Sequence, residues 1–141
     1  MKKIVSIVLA AALALPGAAA SAKNRKTNIG HEPVQVKRAL FSGSESHIHN
    51  FLGLYADCTS TTADVRIVKP PTKGEIRFEE SRQTFFPGDA PFRRACAGKP
   101  IDTVRMYYKA NDKAEGKDTF LLDVDTKLGA VKRYAFTVDI R

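Results

Sequence analysis

The segment "KRYAFTVDI" (132–140) alternates without a break. Tyr134, Phe136, Val138 and Ile140 fall on one side; Arg133, Ala135, Thr137 and Asp139 fall on the other. Successive side chains of an extended strand point to opposite faces, whereas a helix repeats every 3.6 residues, so this pattern is that of a half-buried strand. The same period recurs along the chain. "DTVRMYYK" (102–109) groups Val104, Met106 and Tyr108, and "KDTFLLDV" (117–124) groups Phe120, Leu122 and Val124. "EIRFEE" (75–80) groups Ile76 and Phe78, "ADVRIVK" (63–69) groups Val65 and Ile67, and "VQVKRAL" (34–40) groups Val34 and Val36. "HIHNFLGLYADC" (47–58) and "TFF" (84–86) are less regular strand candidates. Turn-forming clusters separate these segments: "SGSES" (42–46), "PPTKG" (70–74) and "PGDAP" (87–91). Helical spacing with a cap is missing after the first residues. About seven or eight strands with regular punctuation predict an all-β fold, an antiparallel β-sandwich, with a small closed barrel as the alternative.

The beginning of the chain reads differently. Lys2 and Lys3 precede the apolar run Ile4 to Leu15, Pro16 and Gly17 break it, and Ala20-Ser21-Ala22 has the small-x-small form of a cleavage site. This is the pattern of a secretory signal peptide over 1–22. The apolar run is too short for a membrane span, which needs about 20 residues. The expectation is a periplasmic or secreted chain with no transmembrane anchor after cleavage. A polar, flexible stretch (23–33) and a single domain (34–141) follow. In an oxidising compartment the only two cysteines, Cys58 and Cys96, are expected to pair.

The net charge is +8, and +6 without Lys2 and Lys3. Such a surplus favours anionic neighbours such as acidic polysaccharide. No recognition-helix pattern or aromatic basic stripe points to nucleic acid.

Candidate chemistry is sparse. Ser42, Ser44 and Ser46 lie near His47, but no Gly-x-Ser-x-Gly elbow surrounds them. Glu79 and Glu80 point to opposite faces of their strand, and Asp123 and Asp125 share an outer face as solvated charges. His47 and His49 are two apart, which places both imidazoles on one strand face about 6–7 Å from each other. A zinc or copper ion bridged by that pair needs a third ligand, for which His31 and Asp57 are the nearest options. No spacing fixes such a ligand, so no metal or other cofactor is assigned. No catalytic residues are assigned either, and the chain is read as a non-enzyme.

Tyr108-x-Ala110, then Gly116-x-Asp118-x-Phe120 and Val124, together with Pro71-x-x-Gly74 before Ile76, resemble motifs of bacterial immunoglobulin-like and cadherin-like repeat domains. The resemblance spans roughly residues 56–140. It extends to small secreted proteins of Gram-negative bacteria in which a Cys pair flanks the Pro-x-x-Gly hairpin. Ala110 stands where that family often has proline. The resemblance implies an immunoglobulin-like sandwich and says little of function. From the residues themselves, Gly116 supplies a turn conformation, Asp118 accepts backbone N–H bonds of the adjoining loop, and Phe120 fills the core. The expected function is an exported binding or cell-envelope accessory module, its partner an envelope protein or an anionic polysaccharide, its oligomeric state open. The alternative is a small periplasmic metal-binding protein using the His47/His49 strand.

Overall fold

The computed structural model describes residues 32–86 and 91–141. The expected signal peptide, and residues 23–31 of the polar stretch, lie outside them. The described residues form an all-β sandwich. Its strands are β1 (Val34–Leu40), β2 (Glu45–Leu54), β3 (Ser60–Thr62), β4 (Asp64–Lys69), β5 (Gly74–Thr84), β6 (Pro100–Ala110), β7 (Gly116–Asp125) and β8 (Lys132–Ile140). Sheet I has the order β1-β8-β7-β4, and sheet II the order β3-β2-β6-β5. A short 3-10 helix, Pro91–Cys96, leads from β5 to β6.

The expectation of a wholly antiparallel sandwich needs one correction. β1 runs parallel to β8, Val34 opposite Tyr134 and Leu40 opposite Ile140. Parallel neighbours need a long crossover, and here the rest of the sandwich is that crossover. Two further differences have local causes. "EIRFEE" and "TFF" are not separate strands: β5 pairs with β6 without interruption from Gly74 to Thr84, and Phe85 follows it. Ile67 is 45% exposed, because β4 is an edge strand whose register with β7 shifts between Ile67 and Lys69. Among the described residues, no helix is long and apolar enough to cross a membrane.

The main core is the meeting of the two inward faces. Sheet I contributes Val36, Leu40, Phe120, Leu122, Val124, Phe136, Val138 and Ile140. Sheet II contributes Ile48, Phe51, Val104, Met106 and Tyr108, with Ile76 and Phe78 half-buried beside them. Tyr108, Phe120 and Phe136 form a stack through the centre, with ring centroids 5.9 Å and 5.0 Å apart. Burying such rings stabilises the fold by roughly 1.5–3 kcal/mol each. The alternation seen in the sequence is therefore the physical origin of this core.

A smaller cluster lies on the other side of sheet II. Phe85, Cys96 and Ile101 are buried there, with Leu52, Leu54 and Cys58 packed against them. Cys58 and Cys96 are disulfide-bonded. The bond ties the 3-10 helix to the turn after β2, and Phe85 is hydrogen-bonded to Lys99 and Gly98 of the segment that returns to β6. This cross-link thus covers the outer face of sheet II and does not bridge the two sheets.

Candidate functional site

Two motifs 45 residues apart in the chain meet at one end of the sandwich. The carboxylate of Asp118 is 2% exposed. It accepts hydrogen bonds from the backbone N–H of Thr72 (3.0 Å) and Lys73 (2.8 Å), the Thr72 hydroxyl (3.1 Å), the Tyr108 hydroxyl (2.7 Å) and the Thr119 N–H (2.9 Å). Asp118 therefore holds the Pro71-x-x-Gly74 turn that joins β4 to β5. The sequence expectation was a bond to its own loop at 111–115, and the structure corrects that assignment. Burial alone raises the Asp118 pKa, but the donors of Thr72, Tyr108 and Lys73 outweigh it and hold the group below the usual carboxylate range. Burial, and then the bond to Asp118, raise the Tyr108 phenol. Gly74 is required because a Cβ there would lie 2.5 Å from both the Lys109 carbonyl oxygen and the Tyr108 ring. Gly116 adopts φ +80°, which side chains resist. Asp118, Tyr108 and the Thr72–Lys73 backbone are thus tied together, with Gly74 packed against Tyr108 and Phe120 stacked on its ring.

The histidine pair is not on one face. The β2–β6 register shifts between His47, opposite Tyr107, and His49, opposite Met106. A β-bulge inserts one extra residue and re-aims the side chains that follow. His47 is exposed, with its ring edge-on to Tyr107 and its Nε2 2.7 Å from Asn50 Oδ1. His49 turns inward among Phe51, Tyr134 and Phe136. Burial, with smaller contributions from Arg38 and His47, lowers its pKa to about 4, so it is neutral at physiological pH. Arg38 Nε donates to the Ile48 carbonyl at 2.7 Å, giving an acceptor at the bulge a partner. Among the described residues no group of three His, Cys, Asp or Glu side chains is placed to hold a metal ion.

Asp123 also departs from expectation. It points outward from β7 yet is 3% exposed, because Arg133 on β8 (2.7 Å) and Arg66 on β4 (2.6 Å) close over it. The Arg133 bond, more than that of Arg66, holds its carboxyl low. The serine hydroxyls expected near His47 are engaged in turns, Ser42 Oγ with the Asn111 carbonyl and Ser44 Oγ with that of Phe41.

This Arg-Asp-Arg rung is one end of a cationic face that the linear sequence does not reveal. On the outside of sheet I, register places Lys37 beside Thr137 and Thr119, Lys117 beside Asp139, Lys69 beside Leu121, and Arg66 and Arg133 around Asp123. Lys37, Lys69 and Lys117 are exposed and make no ion pair among the described residues, although Lys69 Nζ lies 3.4 Å from the Thr119 hydroxyl. Of its carboxylates, Asp123 is held by Arg66 and Arg133, Asp139 by Arg141 and Asp64 by Lys127, whose backbone N–H also donates to Asp125. From strand spacing, the face measures roughly 14 by 20 Å. These cations come from four different strands, so no local run of basic residues marks them.

No family model matches the chain, and no curated protein matches it. Among solved structures the chain is similar to one titled "Solution Structure of Amebosin", with 8% identity, a TM-score of 0.32, 79% of this chain covered and 100% of the other. A likeness that faint carries no argument about function.

Proposed function

We propose that the chain is an exported, non-enzymatic binding module of the cell envelope, and that the outside of sheet I takes an anionic glycan. One observation carries this reading. Lys37, Arg66, Lys69, Lys117 and Arg133 share a face with Asp123 and Asp139, and with Asp64 and Asp125 at its β4–β7 end; Asp123, Asp139 and Asp64 are paired with Arg66 and Arg133, Arg141 and Lys127, and Asp125 accepts the Lys127 N–H. Cations within about a Debye length, 8–10 Å, act together on a polyanion. The Thr119 and Thr137 hydroxyls at the centre suit hydroxylated sugars. Leu121, the large apolar side chain at its centre, is half-buried, whereas a membrane surface would require exposed ones. Export rests on the 1–22 leader pattern and is supported by the disulfide. An immunoglobulin-like assignment is supported by the strand order β1-β8-β7-β4 over β2-β6-β5 and by the Pro71–Asp118–Tyr108 anchor. The metal-binding alternative loses its motivating geometry at the β2 bulge.

The test is binding of the disulfide-intact protein to polygalacturonate and to neutral dextran at low and high salt. Retention on the acidic polymer alone, lost with salt and weakened about tenfold or more by Lys37→Glu with Lys117→Glu, is the expected result. No retention at low salt, or equal retention on dextran, rejects the proposal. Binding to an acidic protein but to no glycan would move the reading to a protein partner.

A further inference from the structure

The outside of sheet II carries a different kind of surface. A cavity of about 540 Å³ opens there, lined by Leu52 of β2, Ile101 of β6, and Phe85 and Phe86 after β5, with Asn50 and Gln83 at its polar rim. Its size is that of a small-molecule site, and its mainly apolar lining with few polar groups is the usual composition of one. Phe86, on its rim, is 82% exposed.

One rung along the sheet, Arg105 faces Asn50 across the β2–β6 ladder. Its position on β6 also faces Glu79 of β5, but Glu79 is bonded to Arg77 at 3.0 Å, and Arg77 takes Glu45 as well at 2.8 Å. The local carboxylates are therefore used up by a neighbouring arginine. Arg105 is half-buried and makes no ion pair with the described residues; its guanidinium lies 5.2 Å from the Tyr107 ring centroid. Its Nε is fully buried and unsatisfied. The terminal guanidinium nitrogens are not sealed in the same way, so an acceptor from outside the chain can reach them.

We infer that this face is a binding site for a carboxylate on an apolar body, the body entering the Leu52–Phe85–Ile101 cavity and the carboxylate bonding Arg105. A guanidinium binds a carboxylate through two parallel N–H···O bonds, which a neutral head group cannot reproduce. His47 Nε2 is bonded to Asn50 Oδ1, which leaves the Asn50 amide N–H groups as a second donor at the rim. The inference is independent of the glycan reading, which concerns the opposite sheet.

The experiment is calorimetric titration of the disulfide-intact protein with dodecanoate, below its micelle concentration, and with 2-naphthoate. Each acid is matched by its alcohol. The expected result is binding of at least one acid, about tenfold or more tighter than its alcohol, and weakened about tenfold by Arg105→Gln. Which acid binds distinguishes an aliphatic from an aromatic ligand. Gln83→Trp fills the cavity mouth from a half-buried position and is expected to abolish binding with Arg105 intact. It keeps the inference testable should Arg105→Gln fail to fold. Lys37→Glu with Lys117→Glu leaves this binding unchanged. The inference is overturned if neither acid binds, if acid and alcohol bind alike, or if both folded variants, Arg105→Gln and Gln83→Trp, bind as the unaltered protein does.

Discussion

Replacing Asp118 by alanine removes the shared acceptor of the Pro71–Gly74 turn. The Tyr108 hydroxyl then loses its partner in a fully buried setting, since Tyr108 is 0% exposed. Leaving such a group unsatisfied costs about 1–3 kcal/mol. The N–H groups of Thr72 and Lys73 also lose a charged acceptor, but Thr72 is exposed and Lys73 half-buried, so water recovers most of that loss. The sum is about 2–4 kcal/mol, above the cost of one ordinary loop hydrogen bond, roughly 1 kcal/mol. For a domain of this size that corresponds to a melting temperature lower by roughly 8–16 °C. The assay is urea unfolding with the disulfide intact, run on Asp118→Ala, Tyr108→Phe and the double variant. The two changes share one hydrogen bond, so a coupling energy of about 1–2 kcal/mol is expected. Acid titration supplies a further check. The folded-state pKa of Asp118 is lowered, so its contribution is present above the unfolded carboxyl value and is lost as pH falls through the folded one. A loss under about 1 kcal/mol in Asp118→Ala, or no coupling to Tyr108, would refute the reasoning.

His49 makes stability fall in a higher pH window. The unfolded imidazole takes a proton below about 6.5, whereas the folded one stays neutral down to about 4, so stability is full above pH 6.5 and declines between the two values. After discounting for its partial exposure, the total is about 2 kcal/mol, and His49→Leu is expected to flatten the urea midpoint across that window. Cys58→Ser with Cys96→Ser is expected to cost about 2–4 kcal/mol and to expose the 3-10 helix, Pro91–Cys96, to limited proteolysis while sheet I keeps its hydrogen-exchange protection. The lysine variants and the Arg105 variant described above test the two binding faces separately.

Alternation carried most of the fold. Phe120, Leu122 and Val124, and Phe136, Val138 and Ile140, are buried as their period requires. Where pairing departs from that period, the sequence was a poor guide. His47 and His49 obey strict alternation on paper, but the inserted residue in β2 turns one outward and the other into the aromatic core. Bulges arise from the register of two strands, which no single segment encodes. Asp123 failed for a related reason: its carboxylate is shielded by arginines 10 residues later and 57 residues earlier, brought beside it only by the sheet. Both candidate faces are likewise products of register. Lys37, Lys69 and Lys117 lie far apart from one another in sequence, and Arg105 is conspicuous only once Glu79 is seen to belong to Arg77.

The parallel union of the first strand with the last sets an order of events for this chain. Val34 is paired beside Tyr134, so β1 cannot join β8 until the chain has been delivered through residue 140. A chain crossing a membrane from its amino end would emerge with β1 first and wait for β8. Meanwhile β2, β5 and β6 can assemble, and Val36 and Leu40 remain wet. Ring closure over about 100 residues is entropically slow, and β topologies of this kind fold in milliseconds to seconds. In that interval the unclosed edge of β8 is open to any other extended segment, including the β1 of a second molecule. Dilution during refolding should therefore raise the yield of monomer.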